Sequence, residues 1–327
     1  MIKTNLLNLD LGKNPGAERI IIGPFTIALK QDYEKKRALL EEKIDVETAE
    51  ISYTKAENSV LLKSNLRKPP NAIWDIFYIL SYLTGRVVIT REQNYRFITQ
   101  YSGGNEIVEK HDLFEAMNLA WENRYNFEND NEKRPLWYYF EYIQNSEIEN
   151  QLIFASIAFE IIQEITLKEV KLDDGVDSEM VKLSSLKKEL KKIITKSDIS
   201  NQLKTPLLNN IGNWSSKKSV EGIRRYLFER RFLHDIQVND DVRDRIQFIN
   251  RLRNSILHRG QVAEPQNNIS MEQIFNFSSQ LIPGFIEDYL NSKFKIEHFH
   301  LVRQTHENMK GFLYTGKYPG IKWSIPL

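Results

Sequence analysis

Cysteine is absent from this 327-residue chain, which removes disulfides, thiolate-bound metals and cysteine nucleophiles together and fits a reducing compartment. Nowhere do roughly 18 apolar residues follow one another, so no membrane-crossing helix is expected. The opening MIKTNLLNLDLGKNPG sets an acid and several polar residues where an export signal needs an unbroken apolar stretch, and the cytoplasm is the expected location. Internal repeats and low-complexity runs are lacking too. Gly12-Lys13-Asn14-Pro15-Gly16 and Ser102-Gly103-Gly104 lack the Lys and Ser/Thr arrangement that cradles nucleotide phosphates. Asp173-Asp174-Gly175-Val176-Asp177 lacks the ligand spacing of a calcium loop and reads as an acidic turn. No cofactor is expected.

What is present is ordinary in amount and uneven in distribution. Hydrophobic residues make up 41% and charged residues 27%, enough apolar surface for real cores. The length suggests two units at about 150 residues per domain. The net charge of +1 hides a polarity: Lys182 to Gly260 holds 18 Lys and Arg against 8 Asp and Glu, leaving the rest of the chain acidic at 27 against 36. A basic stretch within an acidic protein suits a polyanion partner, because neutralising phosphates releases counterions. Solvated helix faces would give the same count.

Residues 1–144 read as a mixed, strand-rich α+β domain. Arg19 to Lys30 and Ile51 to Lys63 are β-branched and alternating, with Gly23-Pro24 and Glu57-Asn58 as turns or bulges. Pro69-Pro70-Asn71 introduces AIWDIFYILSYLTG, where Ile73, Phe77, Leu80 and Leu83 recur at helical spacing up to a Gly85 stop. Arg86 to Arg91 returns to strand character, Ser102 to Asn105 makes a turn, and His111 to Arg124 has the period of a second helix. Tyr125 to Arg134 is polar and acidic, a linker by composition.

From 145 to 293 the patterning is helical and predicts an all-α bundle. Ile148, Leu152, Ala155, Phe159 and Ile162 form a stripe that Ile153, Ile157, Ile161 and Ile165 widen, as in a helix buried on several sides. Helices follow at Ser184 to Ile194, near Leu203 to Ile211, and at Val220 to Asp235. The next has clear ends, with Asn239-Asp240-Asp241 as caps and acids and Gly260 as a stop; Val242, Ile246, Ile249, Leu252 and Ile256 face one way. A last helix, Met271 to Leu290, is expected to break or kink near Pro283-Gly284. The tail, 294–327, is strand-like and expected to pack back on the first domain.

Within the Asn239-capped helix lies Arg253-Asn254-Ser255-Ile256-Leu257-His258. An Arg, a polar residue, three further residues and a His at the end of an amphipathic helix in a basic helical region resembles the signature of HEPN domains, which are small helical bundles. The likeness covers about Asn145 to Lys293 in organisation, with Arg253, Asn254 and His258 as the matching motif residues. On an ideal helix Asn254 and His258 lie one above the other, so the amide can orient the imidazole. Arg253 lies about 140° away from His258, so its side chain must curl back, or the helix end deform, for both to meet one phosphate. The resemblance implies a dimer that brings two such segments to one composite cleft. One imidazole would accept the proton of the ribose 2′-OH, the second would protonate the departing 5′ oxygen, and the arginines would stabilise charge on phosphorus, leaving a 2′,3′-cyclic phosphate. The helix C-terminus also favours a charged His258.

The expected function is therefore a metal-independent endoribonuclease, with Arg253 and His258 catalytic and Asn254 orienting. From resemblance alone, the setting is a toxin or phage-defence effector with an antitoxin or regulatory partner. The competing reading is a non-catalytic module that binds RNA or protein. Arg251 and Arg259 flank the motif as candidate RNA contacts. Arg224 and Arg225, beside Tyr226 and Phe228, could hold an RNA backbone while the rings stack on bases, although core aromatics with solvated arginines is the commoner arrangement. Glu160, where the apolar stripe is widest, is placed to meet Arg253 or to tie two helices through an arginine. His298 and His300 would share one face of a strand, with His306 nearby, but lack an acidic cluster of metal-site spacing and are not taken as ligands.

Overall fold

The computed structural model describes residues 2–9, 11, 19–30, 33–40, 46–53, 70–90, 106–127, 129–145, 147–169, 174–212, 216–233, 239–259, 271–318 and 321–322. The N-terminal part builds an antiparallel sheet from β1 (Ile2–Leu7), β2 (Arg19–Ile22), β3 (Phe25–Leu29), β4 (Glu47–Tyr53) and the two-residue β5 (Ile89–Thr90), in the order β2-β3-β4-β1-β5. A helix, α1 (Tyr33–Leu40), connects β3 towards β4. The β2–β3 hairpin turns at Gly23-Pro24, since Ile22 pairs with Phe25. Gly23 has φ 54°, and a Cβ there would lie 1.9 Å from Nε1 of Trp121. Glycine is thus required both by the left-handed backbone and by the indole laid against it.

The alternation of Arg19-Ile20-Ile21-Ile22 sends Ile20 and Ile22 inward and leaves Ile21 exposed. α2 (Pro70–Thr84) ends as its sequence indicates. Gly85 takes φ 60°, while the amides of Gly85 and Arg86 bond to the carbonyls of Tyr82 and Ser81, closing the helix end. α3 (Leu113–Glu122) packs against α2 and β2, with Trp121 edge-on to Phe25 at 5.2 Å.

Helices dominate after that: α4 (Asp130–Gln144), α5 (Ile148–Glu169), α6 (Asp174–Lys196), α7 (Asn201–Gly212), α8 (Ser216–Glu229), α9 (Asp240–Arg259), α10 (Met271–Phe294) and α11 (Thr305–Thr315). The chain is accordingly α+β. The widened stripe of α5 is used on several sides, against α4, α8, α9 and α10. Phe159 of α5 stacks on Phe285 at 4.5 Å and meets Tyr226 edge-on. One continuous buried apolar cluster runs from Leu6 to Leu313 and takes in both the sheet and the helices. Helices α6 and α7 pack on one another and leave Leu186, Ile193, Leu203 and Leu207 exposed. Among the described residues no helix is long and apolar enough to cross a membrane.

Four expectations change. Asp174 to Asp177, read as an acidic turn, open α6 as its first helical residues. The polar stretch at 125–134 is no linker over its second half: Asn129 caps α4 by accepting from the amides of Asn131 and Glu132, and Glu132 is buried against Lys293 at 2.6 Å. Pro283 and Gly284 do not interrupt α10, which continues to Phe294. Gly284 answers a packing need instead, because its Cβ would fall 2.6 Å from Cγ2 of Thr305. The tail is largely turn and helix where strand was expected. Lys295, with φ 58°, turns the chain out of α10; Leu301 makes an isolated antiparallel bridge to Val108; α11 follows and ends at the left-handed Gly316. Among the described residues of the tail, strand is limited to β6 (Lys317–Tyr318) and β7 (Ile321–Lys322). The strand expected over 54–63, the turn at Ser102 to Asn105, the Gly12 to Gly16 loop and the Gly260 stop lie outside the described residues.

Candidate functional site

The motif helix forms as its sequence dictates. Asn239 Oδ1 accepts from the amide of Val242 at 2.9 Å, Asp240 and Asp241 occupy the first turn, and Val242, Ile246, Ile249, Leu252 and Ile256 are all buried. That apolar seam packs α9 against α5, α8 and α11 and fixes the rotation at which the polar residues emerge.

Arg253 is only 4% exposed. Its Nη1 lies 3.3 Å from Oε1 of Glu160 on α5, and its Nη2 donates to Asn254 Oδ1 at 2.6 Å and to Asn250 Oδ1 at 3.4 Å. The side chain has turned back along its own helix toward the face carrying Asn254, as a long arginine must to reach that face. Burial lowers the guanidinium pKa, opposed by the charge and hydrogen bond of Glu160 and by the charge of Glu164; an arginine so placed stays protonated. Glu160, which sequence reading set near Arg253, does meet it. Asn254, expected to orient His258, gives its oxygen to Arg253. The side chains of His258 and Arg259 lie outside the described residues.

The described candidate RNA contacts differ in exposure. Arg251 is exposed and Arg224 half-buried, whereas Arg225 is 6% exposed and Tyr226 is 1% exposed within the core. Tyr226 donates its hydroxyl to Phe285 O and to Asp288 Oδ2, each at 2.8 Å. The ring of this residue is therefore a packing element rather than a stacking platform.

A second polar assembly went unread in the sequence. Glu287, fully buried on α10, accepts from Tyr139 Oη at 2.7 Å and Arg303 Nη1 at 2.8 Å. Tyr82 donates to Glu287 O at 3.1 Å and Asn291 Oδ1 at 2.7 Å. Burial pushes the Glu287 carboxyl up, against the lowering effect of Arg303 and Tyr139. One residue on, Asp288 binds Arg230 Nε at 2.7 Å, and Arg230 also reaches Glu297. Glu287, Asp288, Asn291, Arg230, Glu297 and Arg303 line a cleft of about 1040 Å³ between α10, the end of α8, the tail and the 107–111 segment. The cue in the sequence was Glu287-Asp288, two adjacent acids inside the otherwise apolar run Leu281 to Leu290, a placement that burial tolerates only when both are paired.

On the rim of this cleft His111, Asp112 and His300 come together. The backbone amide of His300 bonds to Asp112 Oδ2 at 3.0 Å and its Nδ1 approaches the same oxygen at 2.9 Å. These two bonds, the backbone one first, hold the Asp112 carboxyl below the usual carboxylate range. His300 thus joins residues far earlier in the chain. The strand alternation that would have paired it with His298 does not form, because 297–299 are turn and bend.

No family model, curated protein or solved structure matches the chain.

Proposed function

We propose that the chain is an endoribonuclease of HEPN type, in which the α9 motif cuts RNA without a metal and two copies share one composite site. The observation that supports this most is the course of Arg253: its guanidinium reaches Asn254 Oδ1 and Glu160, so the cation is drawn to the helix face on which position 258 stands one turn further on. A cation held on that face beside an imidazole is what a cleavage of this kind requires. The 2′ oxygen attacks phosphorus as its proton passes to one imidazole, the bond from phosphorus to the 5′ oxygen breaks, and the second imidazolium supplies that oxygen with a proton. Arg253 would offset the negative charge gathered on the phosphoryl oxygens. DNA, lacking the 2′-OH, is not a substrate. The family likeness suggests a cytoplasmic toxin or phage-defence effector, restrained by an antitoxin or regulatory partner.

One observation favours the second reading, a bundle that binds RNA or protein without cutting: Arg253 is enclosed and engaged by Glu160, Asn254 and Asn250. The two are separated by incubating the purified full chain with labelled RNA in excess EDTA. Cleavage to cyclic-phosphate ends in chelator, reduced about 10²-fold or more in both His258→Ala and Arg253→Ala, is the expected result. Intact RNA, or cutting that both variants retain, removes the nuclease reading.

A further inference from the structure

The pair of segments that meet at the cleft rim is held by backbone. Leu301 bridges Val108, the amide of Glu109 bonds to His300 O at 2.8 Å, and that of Val302 bonds to Ile107 O at 3.0 Å. His111 and Asp112 follow one of these segments directly and His300 lies on the other, so their separation is set by main-chain pairing and not by side-chain chance. His111 Nε2 stands 3.4 Å from His300 Nδ1, and 3.5 Å from Asp112 Oδ1; His300 Nδ1 stands 2.9 Å from Asp112 Oδ2.

We propose that His111, Asp112 and His300 form a binding site for a divalent transition-metal ion of zinc's class, with a coordination position open toward the cleft. Bonds of about 2.0–2.1 Å in a tetrahedral site put neighbouring ligand atoms about 3.3–3.4 Å apart. The nitrogen pair and the His111–Asp112 pair stand near that spacing without a cation to draw them in. His300 Nδ1 faces a carboxylate oxygen and another ring nitrogen at once. One proton there serves the first or the second, whereas a cation among the three serves them all.

The donor set selects the ion. Two imidazoles and one carboxylate suit zinc, cobalt or nickel, while calcium and magnesium call for oxygen ligands. Three protein ligands leave room for a water or a substrate atom. The imidazoles are accessible, with side chains 64% exposed at His111 and 75% at His300, against 17% at Asp112; both rings line the cleft. The site shares no residue with the α9 motif, and it stands whether or not that motif cleaves RNA.

Binding is tested by titrating chelator-stripped full-length protein with ZnCl₂ in a calorimeter, and with CoCl₂ in a spectrophotometer. The expected outcome is one Zn²⁺ per chain, intense visible Co²⁺ bands of a four-coordinate ion, and a Zn²⁺-induced rise in melting temperature. His111→Ala, His300→Ala and Asp112→Asn each weaken Zn²⁺ binding at least about tenfold and abolish the cobalt bands, while His298→Ala changes neither. His300→Gln, whose melting temperature without metal is compared with that of the parent chain, guards against loss of fold. Zinc affinity unchanged in His111→Ala and His300→Ala, or no heat and no cobalt bands with the parent protein at millimolar metal, overturns the proposal.

Discussion

Glu160 and Arg253 carry opposite charges across two packed helices, and their unequal exposure decides what each contributes. Glu160 is about half exposed and Arg253 enclosed, so the carboxylate can shed its partner into water and the guanidinium cannot. Glu160→Gln should therefore lower stability by about 1–2 kcal/mol, less than a fully buried pair would cost, and should reduce RNA cleavage by freeing the guanidinium. Urea denaturation and the cleavage assay read the two effects separately; unchanged stability with unchanged cleavage would count against the positioning argued for Arg253. Glu287 is the opposite case. A carboxyl whose folded pKa is raised takes up a proton on folding, so its contribution to stability declines as pH rises from the ordinary carboxylate range through the raised value. Glu287→Gln removes that slope and, by taking the counter-charge from Arg303, costs on the order of 3 kcal/mol near neutrality. Denaturation midpoints measured from pH 4 to pH 8 should show both, and a variant whose pH profile parallels the parent's would refute the assignment. At this scale sequence reading found Glu160 and Arg253, because an acid in an apolar stripe stands out. It missed Asp112 and His111, whose partner lies far away along the chain.

Helices and strands were legible where a face was clean. The Asn239 N-cap of α9, the Gly85 stop of α2 and the stripe of α5 all follow local rules, and the structure uses each as those rules require. β1 was not anticipated, since Ile2 to Leu7 lacks the alternation of a half-buried strand; its place between β4 and β5 explains that, as both its neighbours are long-range. The start of α4 read as linker because its first turn is acidic and polar, which is equally the composition of a capped helix start. Gly284 likewise resembled a break and is a contact surface. Gly284→Ala should destabilise by about 1–2 kcal/mol although alanine is the better helix former, because the new methyl meets Thr305. Adding Thr305→Ser, which removes the offending Cγ2, should recover most of the loss; a double variant no more stable than Gly284→Ala alone would mean the penalty lies elsewhere.

As a whole the molecule joins sheet and bundle through a single apolar cluster, and a sequence divided by composition alone does not reveal that continuity. The mixed α+β class was readable from the change of hydrophobic period along the chain. The composite-site reading adds a requirement on assembly: light scattering should find a dimer, and specific cleavage activity should fall when the protein is diluted below the dimer dissociation constant. Activity independent of dilution in a protein shown to be monomeric would leave no room for a shared site.

The Val108–Leu301 bridge and the Glu287–Arg303 pair give the tail an influence beyond its size. The bridge joins residues so distant along the chain that it forms late, because the loop between them must first be closed. During synthesis, Val108 waits on the ribosome for almost two hundred further residues before its mate emerges. A chain released early would carry the motif helix yet lack the clasp over the cleft, so truncation upstream of residue 301 should yield an aggregation-prone product rather than a smaller working protein.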